Sequence, residues 1–213
     1  DTYPLYNGAI GMTYEQGGSG EAGLGILTKI GDTLTLKDRI AHHFTTGMST
    51  VEVAAKNTVK LNEEFQKFYT NRNFKYKSYV LQGDAGKIDA LTKLLDQQEI
   101  KYGWTYATTI KGFDYSDGQT KSVKTKDASL VVSTDQTKGT LVKVLFEPNA
   151  ILSDSLTYDI TAWSLPYAYG LDAVASESKV NATATVNKPA ASVLQNNAYA
   201  YLTNWNSMND ARF

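Results

Sequence analysis

The chain of 213 residues contains no cysteine. That absence removes disulfides, thiolate nucleophiles and sulfur-ligated zinc together, and it leaves the redox compartment open. Histidine is almost as scarce, with His42 and His43 the whole supply. Successive residues on a helix project about 100° apart, so this pair cannot face one metal ion from a single helix. One packed and one solvated histidine is the expectation. No concentrated basic run exists either: 21 basic side chains stand against 22 acidic ones, the net charge is -1, and Lys121, Lys124 and Lys126 are merely scattered. Phosphate-driven nucleic-acid binding is therefore not expected. No apolar stretch has the length of a membrane span, and no signal peptide is visible. The first residues, Asp1-Thr-Tyr-Pro4, lack an initiator methionine, so the chain is expected to be a piece of a longer polypeptide.

What is present is enough for a sizeable core, since 42% of the residues are hydrophobic. The segment Ala9-Ile-Gly-Met-Thr-Tyr-Glu15 alternates Ile10, Met12 and Tyr14 with Gly11, Thr13 and Glu15. As a strand it would set the Glu15 carboxylate on the face opposite the apolar side chains, beside the glycine-rich run Gly17-Gly-Ser-Gly20. Residues 23–29 and 33–36 flank Ile30-Gly-Asp32 as a short hairpin. Thr35 and Asp38 have capping-box spacing, and the apolar positions from Ile40 to Phe68 then predict a long amphipathic helix with Gly47 as the candidate break. After Thr70-Asn-Arg-Asn73 the pattern changes. Ser78-Tyr-Val-Leu81 reads as a strand, Asp84 as a helix cap, Ile88, Leu91, Leu94 and Leu95 as an inward face, and residues 100–106 as another strand.

That β-α-β opening favours a parallel sheet. Residues 109–115 and 119–123 surround Ser116-Asp-Gly118 as an inserted hairpin. Ser129-Leu-Val-Val-Ser133 is apolar enough to be a central strand buried on both faces. Helices are predicted over 137–146, stopped by Pro148, and over 154–165, stopped by Pro166, with a last strand at 171–175. Residues 176–195 read as a linker. Strand character returns at 198–203, and a helix start at 207–213.

Several apparent motifs have plainer explanations. Gly18-Ser-Gly-Glu-Ala-Gly23 spells a dinucleotide fingerprint, but a hairpin follows where a helix should open, and Glu21 would repel pyrophosphate. Asp114-Tyr-Ser-Asp-Gly118 lacks calcium-loop spacing and reads as a turn. Ser133 lies in no Gly-x-Ser-x-Gly elbow and reads as a strand-end hydroxyl. Trp163, Tyr167 and Tyr169, near Tyr158 and Asp159, would form either a stacking platform or an anchor for a helix end.

The run from Ala9 through Glu15 to Gly20 resembles the end of the catalytic domain in zinc carboxypeptidases of the A/B type, where a strand carries the glutamate that activates the metal-bound water. Glu15 is the matching position. A weaker resemblance continues from Leu34 through Glu52 to about Tyr69. The family's zinc ligands, two histidines and a glutamate, precede that glutamate in chain order, as do its substrate-covering tyrosine and carboxylate-gripping arginines, so Glu15 alone carries over. The phrases Leu145-Phe-Glu-Pro148 and Trp163-Ser-Leu-Pro-Tyr-Ala-Tyr-Gly-Leu171 resemble large bacterial members that append α/β modules after the peptidase.

The resemblance implies a carboxypeptidase-domain remnant over 1–73, an α/β accessory domain over 74–176, and a linker with the start of a further module over 177–213. The accessory domain is expected to be α/β, flavodoxin-like or class I amidotransferase-like, with a mainly parallel sheet and flanking helices. The cysteine that the catalytic amidotransferase version uses is absent. By the same resemblance the intact protein would hydrolyse peptide bonds with zinc held by upstream ligands, in the periplasm or outside the cell, and the isolated chain would be inactive. Its partners would be the remainder of its own polypeptide and a peptide substrate, with no nucleic acid and no membrane span. The alternative is a non-catalytic binding or assembly module with a degenerate peptidase segment.

Overall fold

The computed structural model describes residues 3–15, 23–125, 128–149, 164–183 and 199–200. The chain divides into two compact units, Asp1–Thr70 and Asn71–Phe213.

In the first unit a 3₁₀ turn at Tyr3–Asn7 leads into an extended segment, 9–15. Strands β1 (Gly25–Leu27) and β2 (Thr33–Thr35) pair antiparallel, with Ile26 opposite Leu34. Their connection is closed by Gly31 at φ 93°, a conformation that favours glycine. Helix α1 (Leu36–Lys56) begins at the predicted capping box. The Asp38 N–H donates to Thr35 Oγ1 at 3.2 Å, and the Asp38 carboxylate accepts from the Thr35 N–H at 3.0 Å. Hydrogen bonds from the Thr35 side chain and backbone hold the Asp38 carboxyl below its ordinary pKa.

The helix runs through Gly47 and stops instead at Asn57. There the side-chain amide donates to the Val53 carbonyl at 2.8 Å and the backbone N–H to the same oxygen at 3.1 Å, so one residue satisfies the carbonyl from which the next turn would start. Helix α2 (Thr58–Thr70) follows. Neither helix has a buried residue, and among the described residues of this unit only Ile26 is buried.

The second unit holds β3 (Ser78–Gln82), α3 (Ala85–Gln97), β4 (Tyr102–Thr105), β5 (Thr109–Asp114), β6 (Thr120–Lys124), β7 (Ser129–Ser133), α4 (Gly139–Phe146), α5 (Leu165–Tyr169) and β8 (Asp172–Ser176). The sheet order is β4-β7-β3-β8-β5-β6, and every pairing is antiparallel. This overturns the expected flavodoxin-like or amidotransferase-like parallel sheet.

The physical reason lies in what the crossovers enclose. Strands β3 and β4 run the same way, as the β-α-β order requires, but β7 lies between them and pairs antiparallel with both. Likewise β7 and β8 flank β3. Two interlocked, split β-α-β units result, the strand order of a ferredoxin-like sheet, with the β5–β6 hairpin added beside β8.

Alternation then sorts the core. Tyr79, with Val132 and Ala175 as its register partners, and Leu81, with Leu130 and Ala173, share one face, where the Tyr79 ring stacks on Phe146 of α4 at 5.4 Å. The Tyr115 hydroxyl donates to the Phe146 carbonyl. Val80, Val131, Val174 and Ile110 form the cluster on the other face. Residues 177–183 cover it: the Val180 N–H donates to Ser78 Oγ at 3.0 Å, and Thr183 bridges Trp104 on β4. A Cβ at Gly103 would lie 2.8 Å from the Thr183 carbonyl oxygen, so this crossing needs glycine beneath it.

Local expectations fared differently from the global one. Asp84 caps α3 by accepting from the Gly86 and Lys87 N–H groups at 2.9 and 3.2 Å. Pro166 opens a helix rather than stopping one, because in the first turn its missing N–H has no intrahelical partner to lose. The predicted helix at 154–165 as far as residue 163, the later part of the linker and the helix start at 207–213 lie outside the described residues. So does the strand at 198–203, apart from Tyr199 and Ala200, which belong to no strand.

Candidate functional site

Glu15 ends the extended segment of the first unit. It is exposed, and among the described residues nothing hydrogen-bonds or neutralises its carboxylate. The anticipated alternation holds in space. Ile10, Met12 and Tyr14 line a groove of about 880 Å³ with Val53 of α1 and Phe65 and Phe68 of α2, whereas Gly11, Thr13 and Glu15 do not line it. The three apolar side chains thus border the groove while staying partly exposed, and the carboxylate is not among its lining groups.

The segment is not the strand that the sequence predicts. Segment 9–15 has no ladder partner among the described residues, and the backbone groups of 10–15 form no backbone hydrogen bond there. Its N–H and C=O groups are those of an open edge.

Sequence reasoning missed what ties this segment to the helix. The Tyr14 phenol oxygen lies 2.6 Å from Thr50 Oγ1, and Thr50 Oγ1 donates to the Thr46 carbonyl at 2.9 Å. The signal was the i, i+4 pair Thr46 and Thr50, which with Ser49 makes a hydroxyl-bearing line on the groove side of the helix. The groove itself was missed because periodicity singled out the stripe through Ile40, Phe44, Met48 and Val51, none of which lines it, whereas the segment meets the more polar side of α1.

Zinc sites take at least three protein ligands. Among the described residues no three His, Cys, Asp or Glu side chains gather so as to hold an ion, and both His42 and His43 are exposed on α1. These residues do not fit zinc. No family model matches the chain, and neither curated proteins nor solved structures give a match. The ferredoxin-like strand order of the second unit supports many unrelated functions and points to none. Among the described residues no helix is long and apolar enough to cross a membrane.

The other residues singled out are structural where they are described. Asp114 accepts from the Ser116 N–H and hydroxyl at 2.9 and 2.7 Å and pairs with Lys121 at 2.9 Å. Burial works to raise its pKa, but these hydrogen bonds and the Lys121 charge outweigh it and hold the carboxyl below its ordinary value. Ser133 donates to the Lys77 carbonyl and accepts from the Asp135 N–H, as a strand-end hydroxyl does. Tyr167 sits with its ring 5.1 Å from that of Tyr115. Trp163, Tyr158, Asp159 and most of the 18–23 glycine run lie outside the described residues, so the stacking platform is not assembled among those that are described.

Proposed function

We propose that Glu15 is the proton-transferring carboxylate of a peptide hydrolase, and that the first unit is the closing part of a zinc carboxypeptidase-like domain followed by an accessory unit built on an antiparallel sheet. The carrying observation is the presentation of Glu15: an exposed carboxylate, without a partner among the described residues, at the end of a segment whose Ile10, Met12 and Tyr14 side chains line a groove with α1 and α2. A carboxylate so placed can take a proton from a water that attacks a peptide carbonyl and return it to the leaving amine. The open backbone edge of 10–15 and the lack of buried residues in α1 and α2 support the view that this unit is one part of a larger domain. Any zinc ligands would come from outside the described residues, and the 213-residue chain alone is expected to take up no equimolar zinc.

The test is Glu15→Gln in the intact polypeptide. It keeps size and hydrogen-bonding capacity but removes the proton acceptor, so turnover should fall by roughly 10²- to 10⁴-fold with folding unchanged. Glu52→Gln, at a solvent-exposed carboxylate paired with Lys56 on α1, is the control and should change turnover little. Near-normal turnover from Glu15→Gln, or equal losses from both, would sink the assignment. The second reading, a binding or assembly module with a degenerate peptidase segment, is favoured by the exposed apolar side chains Ile40, Phe44 and Val51 on α1. It requires that the intact polypeptide hydrolyse no peptide.

A further inference from the structure

We propose that Tyr14 is a positioning residue for Glu15, pinning the carboxylate-bearing end of the extended segment to α1 through a two-step hydroxyl relay. The inference rests on the role proposed for Glu15. The direction of the relay follows from counting protons. Thr50 has one hydroxyl proton, and it is committed to the Thr46 carbonyl at 2.9 Å. At 2.6 Å from the Tyr14 phenol oxygen, Thr50 Oγ1 therefore accepts, and Tyr14 donates. The Met12 sulfur, 3.5 Å from the same phenol oxygen, is the weaker competing acceptor.

The relay ends on a carbonyl inside α1, whose place is fixed by the helix. Its bonds are directional, which the apolar contacts of Ile10 and Met12 are not. Those contacts hold the segment down without setting where it stops along the helix. Among the described residues no backbone hydrogen bond does so either, since 10–15 has none. Glu15 is joined to Tyr14 by a single planar peptide, which keeps their Cα atoms about 3.8 Å apart. Fixing Tyr14 thus narrows the volume the carboxylate can sweep.

Because the chain has no cysteine, Glu15→Cys in the full 213-residue chain takes a single nitroxide label, whose spectrum reports mobility at that position. Tyr14→Phe and Thr50→Val should each make the label more mobile, and the double variant no more so than either alone, because both delete the same bond. Thr50→Ser keeps the hydroxyl and should restore the parent spectrum. A label at Lys29→Cys, on the exposed β1–β2 turn, should not respond. An unchanged spectrum in Tyr14→Phe, a Thr50→Ser spectrum like that of Thr50→Val, or equal loosening at position 29 would overturn the proposal.

The label replaces the carboxylate, so this result does not depend on what Glu15 does. In the intact polypeptide Tyr14→Phe should lower kcat by about three- to tenfold with KM nearly constant. If Glu15→Gln abolishes turnover and Tyr14→Phe leaves kcat unchanged, positioning alone fails. If turnover ignores Glu15→Gln, the function proposed for Glu15 fails while the spectral result still decides the relay.

Discussion

Helices α1 and α3 carry the same kind of message in sequence, an apolar stripe at helical spacing, and meet opposite fates. In α3 the stripe is consumed, with Leu91 and Leu95 both at 0% exposure. In α1, Ile40 stays 61% and Phe44 68% exposed, and no residue is buried. The second unit supplies α3 with a six-stranded sheet, whereas the first offers α1 a two-stranded hairpin and a few extended residues. An amphipathic pattern therefore states which face of a helix needs covering, and the rest of the polypeptide decides whether it is covered. The stability of the described chain should be concentrated in the second unit.

The sharpest way to break that contrast is a matched pair of truncations. Tyr79→Ala removes a ring that is 1% exposed and stacked on Phe146, and should destabilise the second unit by about 3–5 kcal/mol in urea unfolding. Phe44→Ala should change the stability of this chain by no more than about 0.5 kcal/mol. Comparable losses from the two would show that α1 is covered after all.

A smaller effect comes from glycines, with opposite signs expected in the two units. A Cβ at Gly139 would collide with the Thr134 carbonyl oxygen at the start of α4, so Gly139→Ala should cost the second unit about 1–3 kcal/mol. Gly47 lies inside α1 with nothing within 4 Å of a new Cβ, so Gly47→Ala should stabilise that helix by about 0.5–1 kcal/mol. Circular dichroism through a thermal melt would read the helix gain, and urea unfolding the loss. A gain at position 139 would contradict the close approach.

The smallest effect is tied to protonation at the α1 cap. Thr35→Ala should cost about 1 kcal/mol of local stability near neutral pH. The Asp38 carboxyl is held below its ordinary value of 3.8, so its contribution is fully present above that value and lost as pH falls through the lower folded value. The difference between parent and Thr35→Ala in amide exchange at the first turn of α1 should therefore shrink with acidification below pH 3.8. A difference independent of pH would separate the cap from the carboxylate.

What could be read from sequence divides along the same physical line. The capping box at Thr35 and Asp38, the Asp84 cap and the hairpin turn through Gly118 were legible because each is settled within four residues. The sheet was not. The order β3-α3-β4 fixes only that those two strands run the same way, and whether a later strand enters between them depends on pairings as far apart as Tyr102 with Val132 and Ser78 with Ser133. The continuous apolar run in β7 suits an interior place in either kind of sheet. At the candidate site the alternation around Glu15 was legible, but the Tyr14–Thr50 contact joins residues 36 apart and left no local trace beyond the threonine spacing.

The crossing segment of the second unit has one more effect, on how copies of the chain meet. By exchanging two backbone hydrogen bonds with Trp104, at 2.8 and 2.9 Å, Thr183 occupies ladder positions on the outer edge of β4. The opposite outer strand, β6, carries Lys121 and Lys124 along an exposed edge. One border of the sheet is thus capped by its own chain and the other guarded by charge, the two usual defences against strand-by-strand addition. The segment Ala9-Ile-Gly-Met-Thr-Tyr14 has neither: it is extended, uncharged, free of proline and unpaired among the described residues. In concentrated solution of this chain alone, self-association should therefore begin there and leave the six-stranded sheet intact.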